Sequence, residues 1–338
     1  MITVIGAGSW GTALADLLGR KGVSVRLWTR DAAQADYIRV NCSNNKYLKE
    51  TVLSENIEAV TALNYATEGA EMILLSVASQ ATRSVLESLK PFVRPDQIII
   101  NVSKGIEMNS LQRISEIVAN VLPNNPYCVL SGPSHAEEVA AGMPTTLVSA
   151  SRSRDVAEAV QDLFSTGALR VYTNPDVAGV ELAGALKNII AIGAGISDGL
   201  GFGDNAKAAL ITRGITEIAR LGTSMGARTE TFAGLSGIGD LIVTCTSEHS
   251  RNRRFGRAVG QGMPVKDALD QIGMVVEGYY TVSSAYDLSQ KVGVEMPITE
   301  ELYRILYQGC DARHSVGNLM LRSLTHESEG LAETGLWE

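Results

Sequence analysis

Cysteine is scarce in this chain, and the few cysteines are not paired. A disulfide framework or a structural zinc site needs several cysteines at short, regular spacing, often as C-x-x-C. No C-x-x-C pair occurs in the 338 residues, and the cysteines are widely scattered, at positions 42, 128, 245 and 310. The sequence therefore predicts free thiols, no metal site and a cytoplasmic location.

An excess of positive charge is also missing. The chain has 29 Lys and Arg against 37 Asp and Glu, a formal net charge of −8. A surface of this sign repels a polyanion, which argues against nucleic acid as a partner. The most apolar long stretch, residues 177–196, contains Glu181, Lys187 and Asn188, so we expect no stable membrane insertion. Any anionic ligand has to be bound by a local group of cations.

Proline is rare as well, with nine residues against 33 glycines, and 45 % of the chain is hydrophobic. This composition is that of a globular protein, and the length favours about two domains. Short β-branched runs alternate with helical patterns up to Asn174, which predicts an α/β domain over residues 1–174 with a Rossmann-type, doubly wound, mostly parallel sheet. The predicted strands are residues 2–5, 23–28, 72–77, 98–102, 127–130, 146–148 and 169–172.

From Pro175 onward the pattern changes to long helical stretches. Candidate helices cover residues 177–197, 206–225, 265–272, 278–291 and 299–307, with few strand candidates between them. This shift predicts an all-α C-terminal domain over residues 175–338, and we expect it to bind substrate. The Asn174-Pro175 pair suits the junction, because proline is well tolerated at the start of a helix.

A glycine motif, G-x-G-x-x-G, stands at Gly6, Gly8 and Gly11. It follows a predicted buried strand and opens an amphipathic helix, which is the placement that lets backbone N–H groups at a helix start bind a pyrophosphate. An ordinary strand-to-helix turn is the alternative. The second strand ends at Arg30-Asp31, where an acidic residue favours NAD and an arginine favours NADP. We favour NADP with Arg30 as phosphate partner, and a solvated Arg30 is the alternative.

Two lysines lie where an ordinary surface lysine is not expected. Lys187 is inside a helix that is apolar or small on nearly every side, so its ammonium has to reach water, pair with a carboxylate or face a polar cavity. Lys104 follows a predicted strand at its carboxyl end, where open α/β sheets place their ligand crevice. A snorkelling Lys187 and a surface Lys104 are the alternatives.

A phosphate site is suggested at Ser250, Arg251 and Asn252. Ser250 can cap a helix whose first turn carries the other two, and both the free N–H groups and the planar guanidinium suit phosphate oxygens. A solvated basic helix end is the alternative. His135 and His249 are expected to be ordinary polar residues rather than metal ligands, because no companion ligand spacing accompanies them.

The sequence resembles the bacterial type of NAD(P)-dependent glycerol-3-phosphate dehydrogenase over almost its whole length. Seven motifs occur in the order of that family: Gly6-Ala-Gly-Ser-Trp-Gly-Thr-Ala, Ser103-Lys-Gly-Ile-Glu, Leu130-Ser-Gly-Pro-Ser-His-Ala, Glu181-Leu-Ala-Gly-Ala-Leu-Lys-Asn, Gly234-Leu-Ser-Gly-Ile-Gly-Asp-Leu, Ser250-Arg-Asn and Val276-Glu-Gly. The resemblance implies reversible reduction of dihydroxyacetone phosphate to sn-glycerol 3-phosphate, a phospholipid precursor, with NADPH or NADH.

The resemblance also implies the roles of individual residues. Lys187 would exchange the proton at the substrate oxygen, with Lys104 and Asp240 beside it as further catalytic groups. Substrate would be held by Lys104, Gly132, Ser134, Lys187, Asp240, Ser250, Arg251 and Asn252. Cofactor would be bound by Gly6, Gly8, Ser9, Trp10, Gly11, Arg30, Lys104, Ala136, Arg251, Val275 and Glu277. Asn188 and Thr244 are further candidates.

Two other functions fit parts of the sequence. Another two-domain nicotinamide enzyme, such as a β-hydroxyacid dehydrogenase or a ketopantoate reductase, would share the glycine motif but should lack Leu-Lys-Asn together with Ser-Arg-Asn. A non-catalytic redox sensor would bind NAD(P)H and need neither Lys187 nor a phosphate site. A monomer and a homodimer both remain open.

Overall fold

The computed structural model describes residues 1–49, 51–324 and 327. Its first part is one eight-stranded sheet with helices on both faces. The strands are β1 (Ile2–Ile5), β2 (Val25–Trp28), β3 (Ile57–Val60), β4 (Met72–Leu75), β5 (Ile98–Asn101), β6 (Tyr127–Ser131), β7 (Thr145–Ala150) and β8 (Leu169–Asn174).

The order of the strands is β3-β2-β1-β4-β5-β6-β7-β8. All neighbours are parallel except β6 and β7, so β7 and β8 run opposite to the other six. The chain reverses its winding direction between β1 and β4, and ligands of such sheets bind at that switch point, beyond the carboxyl ends of the strands. The predicted Rossmann-type, mostly parallel sheet is confirmed.

Helices cover the sheet on both sides because the strands are apolar on both faces. One core contains Leu14 and Leu18 with Phe164, and the other contains Leu86 with Ile117. The helices of this part are α1 (Ser9–Arg20), α2 (Ala32–Asn41), α3 (Leu63–Thr67), α4 (Thr82–Leu89), α5 (Ile114–Val121), α6 (Ala136–Ala140) and α7 (Arg154–Phe164).

The second part is helical, with no strand among the residues described after Asn174. Its helices are α8 (Val177–Gly199), α9 (Asp204–Ser224), α10 (Thr229–Phe232), α11 (Asp240–Thr246), α12 (Arg251–Gly260), α13 (Val265–Ile272), α14 (Glu277–Val292), α15 (Pro297–Gln308) and α16 (Ala312–Met320). The predicted all-α character is confirmed. The division at residues 174 and 175 stays a prediction, and residues 328–338 of the predicted domain lie outside the described part.

Helix α8 is the centre of this helical part. Its length and composition would suit a membrane span, but 89 % of its most apolar window is buried inside the protein. It packs closely against α12. Gly195 permits this approach, since a Cβ atom at that position would lie only 2.0 Å from the carbonyl oxygen of Arg253. A helix that is apolar all round is expected in such a core. The one lysine in α8 is therefore enclosed by protein.

Strand β3 and the direction of β7 are two features of the sheet that the sequence analysis did not provide, and in the helical part it did not provide α10, α11 and α16. Only Ala59 and Val60 of β3 are buried, so this edge strand lacks the continuous apolar run of its neighbours. Strand β7 is as buried as the parallel strands, so burial does not reveal its direction, which depends on the connection through α6. Neither feature changes the carboxyl edge of β1, β4 and β5, where the candidate site lies.

Candidate active site

The glycine motif forms the tight turn between β1 and α1. Gly6 has a φ of +114°, in the region that favours glycine, and a side chain there would meet the carbonyl oxygen of Ser76 at 2.4 Å. A side chain at Gly11 would lie 2.0 Å from the carbonyl oxygen of Gly6. Helix α1 begins with Gly8 as N-cap and no side-chain cap, so its first N–H groups remain available to an anion. This cradle fits the pyrophosphate of a dinucleotide.

The neighbouring residues that were predicted to bind the cofactor make different contacts. The Ser9 hydroxyl donates to the carbonyl oxygen of Tyr47 at 2.6 Å. Trp10 packs in a small cluster with Leu48 and Ala136, so the first turn of α1 and the start of α6 lie side by side. The structure thus brings Trp10 and Ala136 together next to the glycine turn.

Arg30 and Asp31 stand at the carboxyl end of β2. Asp31 is the N-cap of α2, where its Oδ1 accepts the N–H of Gln34 at 3.2 Å, and its Oδ2 lies 3.7 Å from the ammonium of Lys46. Arg30 is exposed and has no hydrogen-bond or ion-pair partner within residues 1–49, 51–324 and 327. The carboxylate is therefore engaged, whereas the guanidinium is free to meet a ligand.

Three charged groups from distant parts of the chain form the centre of the site. Asp240, the first residue of α11, accepts a hydrogen bond from Lys187 of α8 at 2.6 Å and one from Lys104 at 2.6 Å, one on each carboxylate oxygen. Lys104 follows the carboxyl end of β5. Lys187 and Asp240 are only 6 % and 1 % exposed, so Lys187 does not snorkel to water. Two ammonium groups share one carboxylate, which leaves the cluster with a local positive charge.

The protonation of this cluster follows from its burial. Burial lowers the pKa of Lys187 to about 8, with a further lowering by Lys104, against the opposing charge of Asp240. Burial opposes ionisation of Asp240, but the two ammonium groups hold the pKa of its carboxyl below the usual value. Lys187 can therefore exchange a proton near neutral pH while Asp240 stays ionised.

Further hydrogen bonds fix the positions of both lysines. Thr244, one turn after Asp240, accepts from the Lys187 ammonium at 2.5 Å and donates to the Asp240 carbonyl at 2.6 Å. On the other side, the Gly132 carbonyl accepts from the Lys104 ammonium and from the Ser134 hydroxyl, both at 3.0 Å. Gly132 and Ser134 are thus brought to the lysine cluster, as the resemblance implied.

The start of α12 carries the candidate phosphate residues. The Ser250 hydroxyl caps the helix by accepting the N–H of Arg253 at 3.2 Å. Asn252 donates its amide to Asn188 at 2.9 Å and accepts the N–H of Gly278 at 2.9 Å, which links α12 to the residue after Lys187. Arg251 donates one bond, to the carbonyl of Val275 at 2.9 Å. Its other N–H groups have no partner in the described part of the chain and can bind an anion.

Glu277 joins the two parts of the protein. Its carboxylate accepts the backbone N–H of Ser79 at 2.9 Å and the Ser79 hydroxyl. Burial raises the pKa of Glu277, and the bonds from Ser79 oppose that rise. The sequence analysis missed Ser79, although its position four residues after the end of β4, at the switch point, was a usable signal. Glu181 makes a second such link, because it accepts from Ser115 and Tyr127.

His135 and His249 face each other from the two parts, with ring centroids 5.6 Å apart. The buried Nε2 of His135 has no hydrogen-bond partner among the described residues. Burial lowers the pKa of His135, and the charge of Lys187 lowers it further. No group of three or more His, Cys, Asp or Glu that could hold a metal ion occurs among the described residues, and that both rings are ordinary polar groups stays a prediction.

The arrangement combines a dinucleotide cradle, a buried proton donor and a free guanidinium at a helix start. The lysine cluster joins Lys104, Lys187, Asp240, Gly132, Ser134 and Thr244 directly. No contact within the described residues joins Arg30 to this cluster. Chemically, the cluster can stabilise negative charge on an oxygen and give it a proton.

Comparisons with known proteins agree over both parts of the chain. Residues 1–157 match the family model of the NAD-dependent glycerol-3-phosphate dehydrogenase N-terminus, and residues 176–317 match that of the C-terminus. A glycerol-3-phosphate dehydrogenase (NAD(P)+) of Clostridium perfringens is 51 % identical over 326 residues, 96 % of this chain and 98 % of that protein. Its counterpart in Bacillus subtilis is 52 % identical over 336 residues, 98 % and 97 %.

A solved structure is similar as well. The crystal structure of glycerol-3-phosphate dehydrogenase from Coxiella burnetii has a TM-score of 0.92 with this chain at 43 % sequence identity. The match covers 95 % of this chain and 98 % of that one.

Proposed function

The chain belongs to the NAD-dependent glycerol-3-phosphate dehydrogenase family, and from this premise we propose how its own residues perform the reaction. As a member it is an NAD(P)-dependent oxidoreductase that acts on a CH–OH group. The reaction is the reversible reduction of dihydroxyacetone phosphate to sn-glycerol 3-phosphate. The observation that carries the proposed mechanism is the buried Lys187, held by Asp240 and Thr244.

Lys187 acts as the general acid in reduction and as the base in oxidation. When bound, NAD(P)H supplies the hydride that reduces the carbonyl carbon. The ammonium of Lys187 stabilises the negative charge that develops on the substrate oxygen and transfers a proton to it. The same group accepts that proton in the reverse direction, which its pKa of about 8 makes feasible near neutral pH. This role explains why a lysine is kept inside an apolar helix.

The neighbouring groups position the Lys187 ammonium and add charge around the substrate oxygen. Asp240 bonds both lysines and keeps their ammonium groups in the site. Lys104, which also bonds the Gly132 carbonyl, adds a second positive charge beside the substrate oxygen and reaches the cofactor side of the cleft. Gly132 and Ser134 hold the substrate from the β6 side. Local positive charge lets an acidic protein bind a phosphorylated substrate.

The phosphate of the substrate is bound at the start of α12. Ser250 and Asn252 fix the geometry of the helix start through their bonds to Arg253, Asn188 and Gly278. Arg251 supplies charged donors at the same place. Closure of the two parts over both ligands is expected, because Arg251 also lies beside Val275, a cofactor candidate.

We expect Arg251→Ala to raise the KM for dihydroxyacetone phosphate by at least tenfold, because a charged hydrogen bond contributes about 1.5–3 kcal/mol. Steady-state kinetics at saturating cofactor measure the change. Arg257→Ala is the matched control, since that residue lies on the same helix and pairs with Glu248 instead. An unchanged substrate KM in Arg251→Ala would place the phosphate elsewhere.

The cofactor lies along the carboxyl edge of β1 and β2. The glycine turn at Gly6, Gly8 and Gly11 receives the pyrophosphate, with Ser9 and Trp10 beside it. Ala136, Val275 and Glu277 bound the nicotinamide side of the cleft. Arg30 meets the 2′-phosphate of NADP, and this proposal is supported by its free guanidinium and by the engagement of Asp31 in capping α2. Both NADPH and NADH serve as cofactors in this family.

We expect Arg30→Ala to lower the ratio of kcat/KM for NADPH to that for NADH by about tenfold, because the phosphate loses a charged partner. The kcat/KM values for NADPH and NADH are measured for the parent, for Arg30→Ala and for the control Arg39→Ala, which changes an arginine at the far end of α2. A ratio that stays the same in Arg30→Ala removes Arg30 from cofactor selection.

One assay tests the function as a whole. The absorbance of the reduced nicotinamide band is followed while dihydroxyacetone phosphate is added with NADPH or with NADH. Loss of the band with formation of sn-glycerol 3-phosphate supports the proposal, whereas cofactor binding without turnover would favour a redox sensor. Turnover only with ketopantoate or a β-hydroxyacid would favour the other dehydrogenases. A cytoplasmic location and the lack of membrane insertion stay predictions, and no prediction is made between a monomer and a homodimer.

A further inference from the structure

A buried amide supports the glycine turn from behind. Asn44 lies between α2 and β3 and is 1 % exposed. Its Nδ2 donates to the carbonyl oxygen of Ala7, inside the glycine motif, at 3.0 Å and to the hydroxyl of Thr12 in α1 at 2.8 Å. None of the roles proposed above includes Asn44. Among the described residues, its polar partners outside its own segment belong to α1, α2 and the glycine turn.

The Ala7 carbonyl receives a second donor from the same side. The side-chain amide of Gln34 in α2 donates to it at 2.7 Å and to Oδ1 of Asn44 at 3.2 Å. The C=O and N–H bonds of a planar trans peptide point in opposite directions. When the Ala7 carbonyl is held towards Asn44 and Gln34, the N–H of Gly8 is therefore directed to the opposite side of the turn.

That opposite side is open. The N–H of Gly8 has no hydrogen-bond partner in the described part of the chain, and a side chain built on Gly8 would meet no atom within 4 Å. A free N–H over open space at a helix start is what a pyrophosphate requires. The orientation of this donor thus depends on which way the Ala7 carbonyl is held.

We propose that Asn44 is a positioning residue that orients the Ala7–Gly8 peptide so that its N–H faces the pyrophosphate of the cofactor. This inference rests on the proposed function. The segment that carries Asn44 is itself anchored: the N–H of Leu48 bonds the Asn44 carbonyl at 2.8 Å, Ser9 bonds the Tyr47 carbonyl, and Leu48 packs on Ala13. The donor set is assembled in advance, which lowers the entropic cost of binding.

Gln34 extends this hydrogen-bond network to the end of β2, where Arg30 is proposed to contact the cofactor. Its Oε1 accepts the hydroxyl of Thr29, which precedes Arg30 at the end of β2. The turn that meets the pyrophosphate and the strand end that meets the ribose are thereby joined through one side chain. Asn44 should affect every ligand that carries a pyrophosphate, whatever its nicotinamide or its 2′-phosphate.

The test measures binding rather than turnover. Calorimetric titration of Asn44→Ala with NADPH, NADH and ADP-ribose should show dissociation constants raised about tenfold for all three, as expected from a misplaced hydrogen-bond donor to a charged group. The KM for dihydroxyacetone phosphate at saturating cofactor should not change. Asn45→Ala, at the exposed neighbouring position, should bind all three ligands like the parent. Dissociation constants within twofold of the parent in folded Asn44→Ala would overturn the proposal.

Two variants separate positioning from stability. Thr12→Val removes the other partner of the Asn44 amide and should lower Tm while leaving the dissociation constants unchanged. Gln34→Ala removes the second donor to Ala7 and should weaken binding of ADP-ribose about threefold, even if Asn44→Ala does not fold. Parental binding by Gln34→Ala in that case would also overturn the inference. A parent protein that binds no NADH or NADPH would instead contradict the proposed function.

Discussion

Replacing Lys187 with alanine is expected to lower kcat for dihydroxyacetone phosphate reduction by about 10²- to 10⁴-fold, the usual contribution of a positioned general acid. The affinity for NADPH should stay within a few fold of the parent, because Lys187 contacts Asp240 and Thr244 rather than the glycine turn. Steady-state kinetics and a cofactor titration measure the two quantities.

Lys207→Met is the matched control for this variant. Lys207 also forms an ion pair with a partly buried carboxylate, Asp198 at 2.7 Å, but it lies in α9, outside the lysine cluster. Its loss should reduce stability without a comparable loss of kcat. Near-parental turnover of Lys187→Ala would disprove the assignment of the general acid.

The pH dependence gives a second readout of the same assignment. Reduction requires the ammonium form of Lys187, so its kcat/KM, which reports the groups of the free enzyme, should fall as the pH rises through about 8, the pKa of Lys187. Oxidation requires the neutral amine, so its kcat/KM should rise through the same pH. The opposite signs identify a group that donates in one direction and accepts in the other. Lys187→Ala should lose both inflections.

The sequence revealed the groups that look unusual within their own segment. Lys187 stands out because its helix is apolar on every side, and the glycine motif stands out because a strand precedes it and a helix follows. Both predictions depend on short-range pattern alone. The structure has the strand–turn–helix context, and among the possibilities left open for Lys187 it shows pairing with a carboxylate, without contact with bulk water.

Groups whose roles depend on distant partners were not visible in the same way. Asp240 sits in a glycine-rich turn, 53 residues from Lys187, and the family resemblance alone connected them. Ser79 and Asn44 are small polar residues of a kind that is common near turns, and their partners lie 198 and 37 residues away. Tertiary hydrogen bonds of this range leave no periodic signal, so the position of Ser79 after β4 could mark it as a candidate, but only the folded chain identifies the partners of Ser79 and Asn44.

We expect Asp240→Asn to have the second large effect, on both activity and stability. The change keeps the size of the side chain but removes the only carboxylate that bonds Lys104 and Lys187 within the described residues. The buried ammonium group of Lys187 and the partly buried one of Lys104 then face each other without a counter-charge, and loss of one partner of a buried ion pair typically costs about 3–5 kcal/mol. The pKa of Lys187 falls further, so less of the general acid is protonated at pH 7, and kcat for reduction should fall by about 10²-fold or more.

The control separates the two effects. Asp198→Asn removes another shielded carboxylate with two cationic partners, Arg253 at 2.8 Å and Lys207 at 2.7 Å, which lie outside the lysine cluster. Both variants should lower Tm, because Asp240→Asn leaves two cations without their carboxylate, whereas Asp198→Asn removes the partner of Lys207 and leaves Arg253 paired with Glu248 alone. Asp240→Asn alone should also shift the alkaline fall of the reduction rate to lower pH, since the charge that stabilises the Lys187 ammonium is gone. If Asp240→Asn lost only stability and kept the parental pH profile, Asp240 would be a structural ion pair and Lys187 would have to be oriented by Thr244.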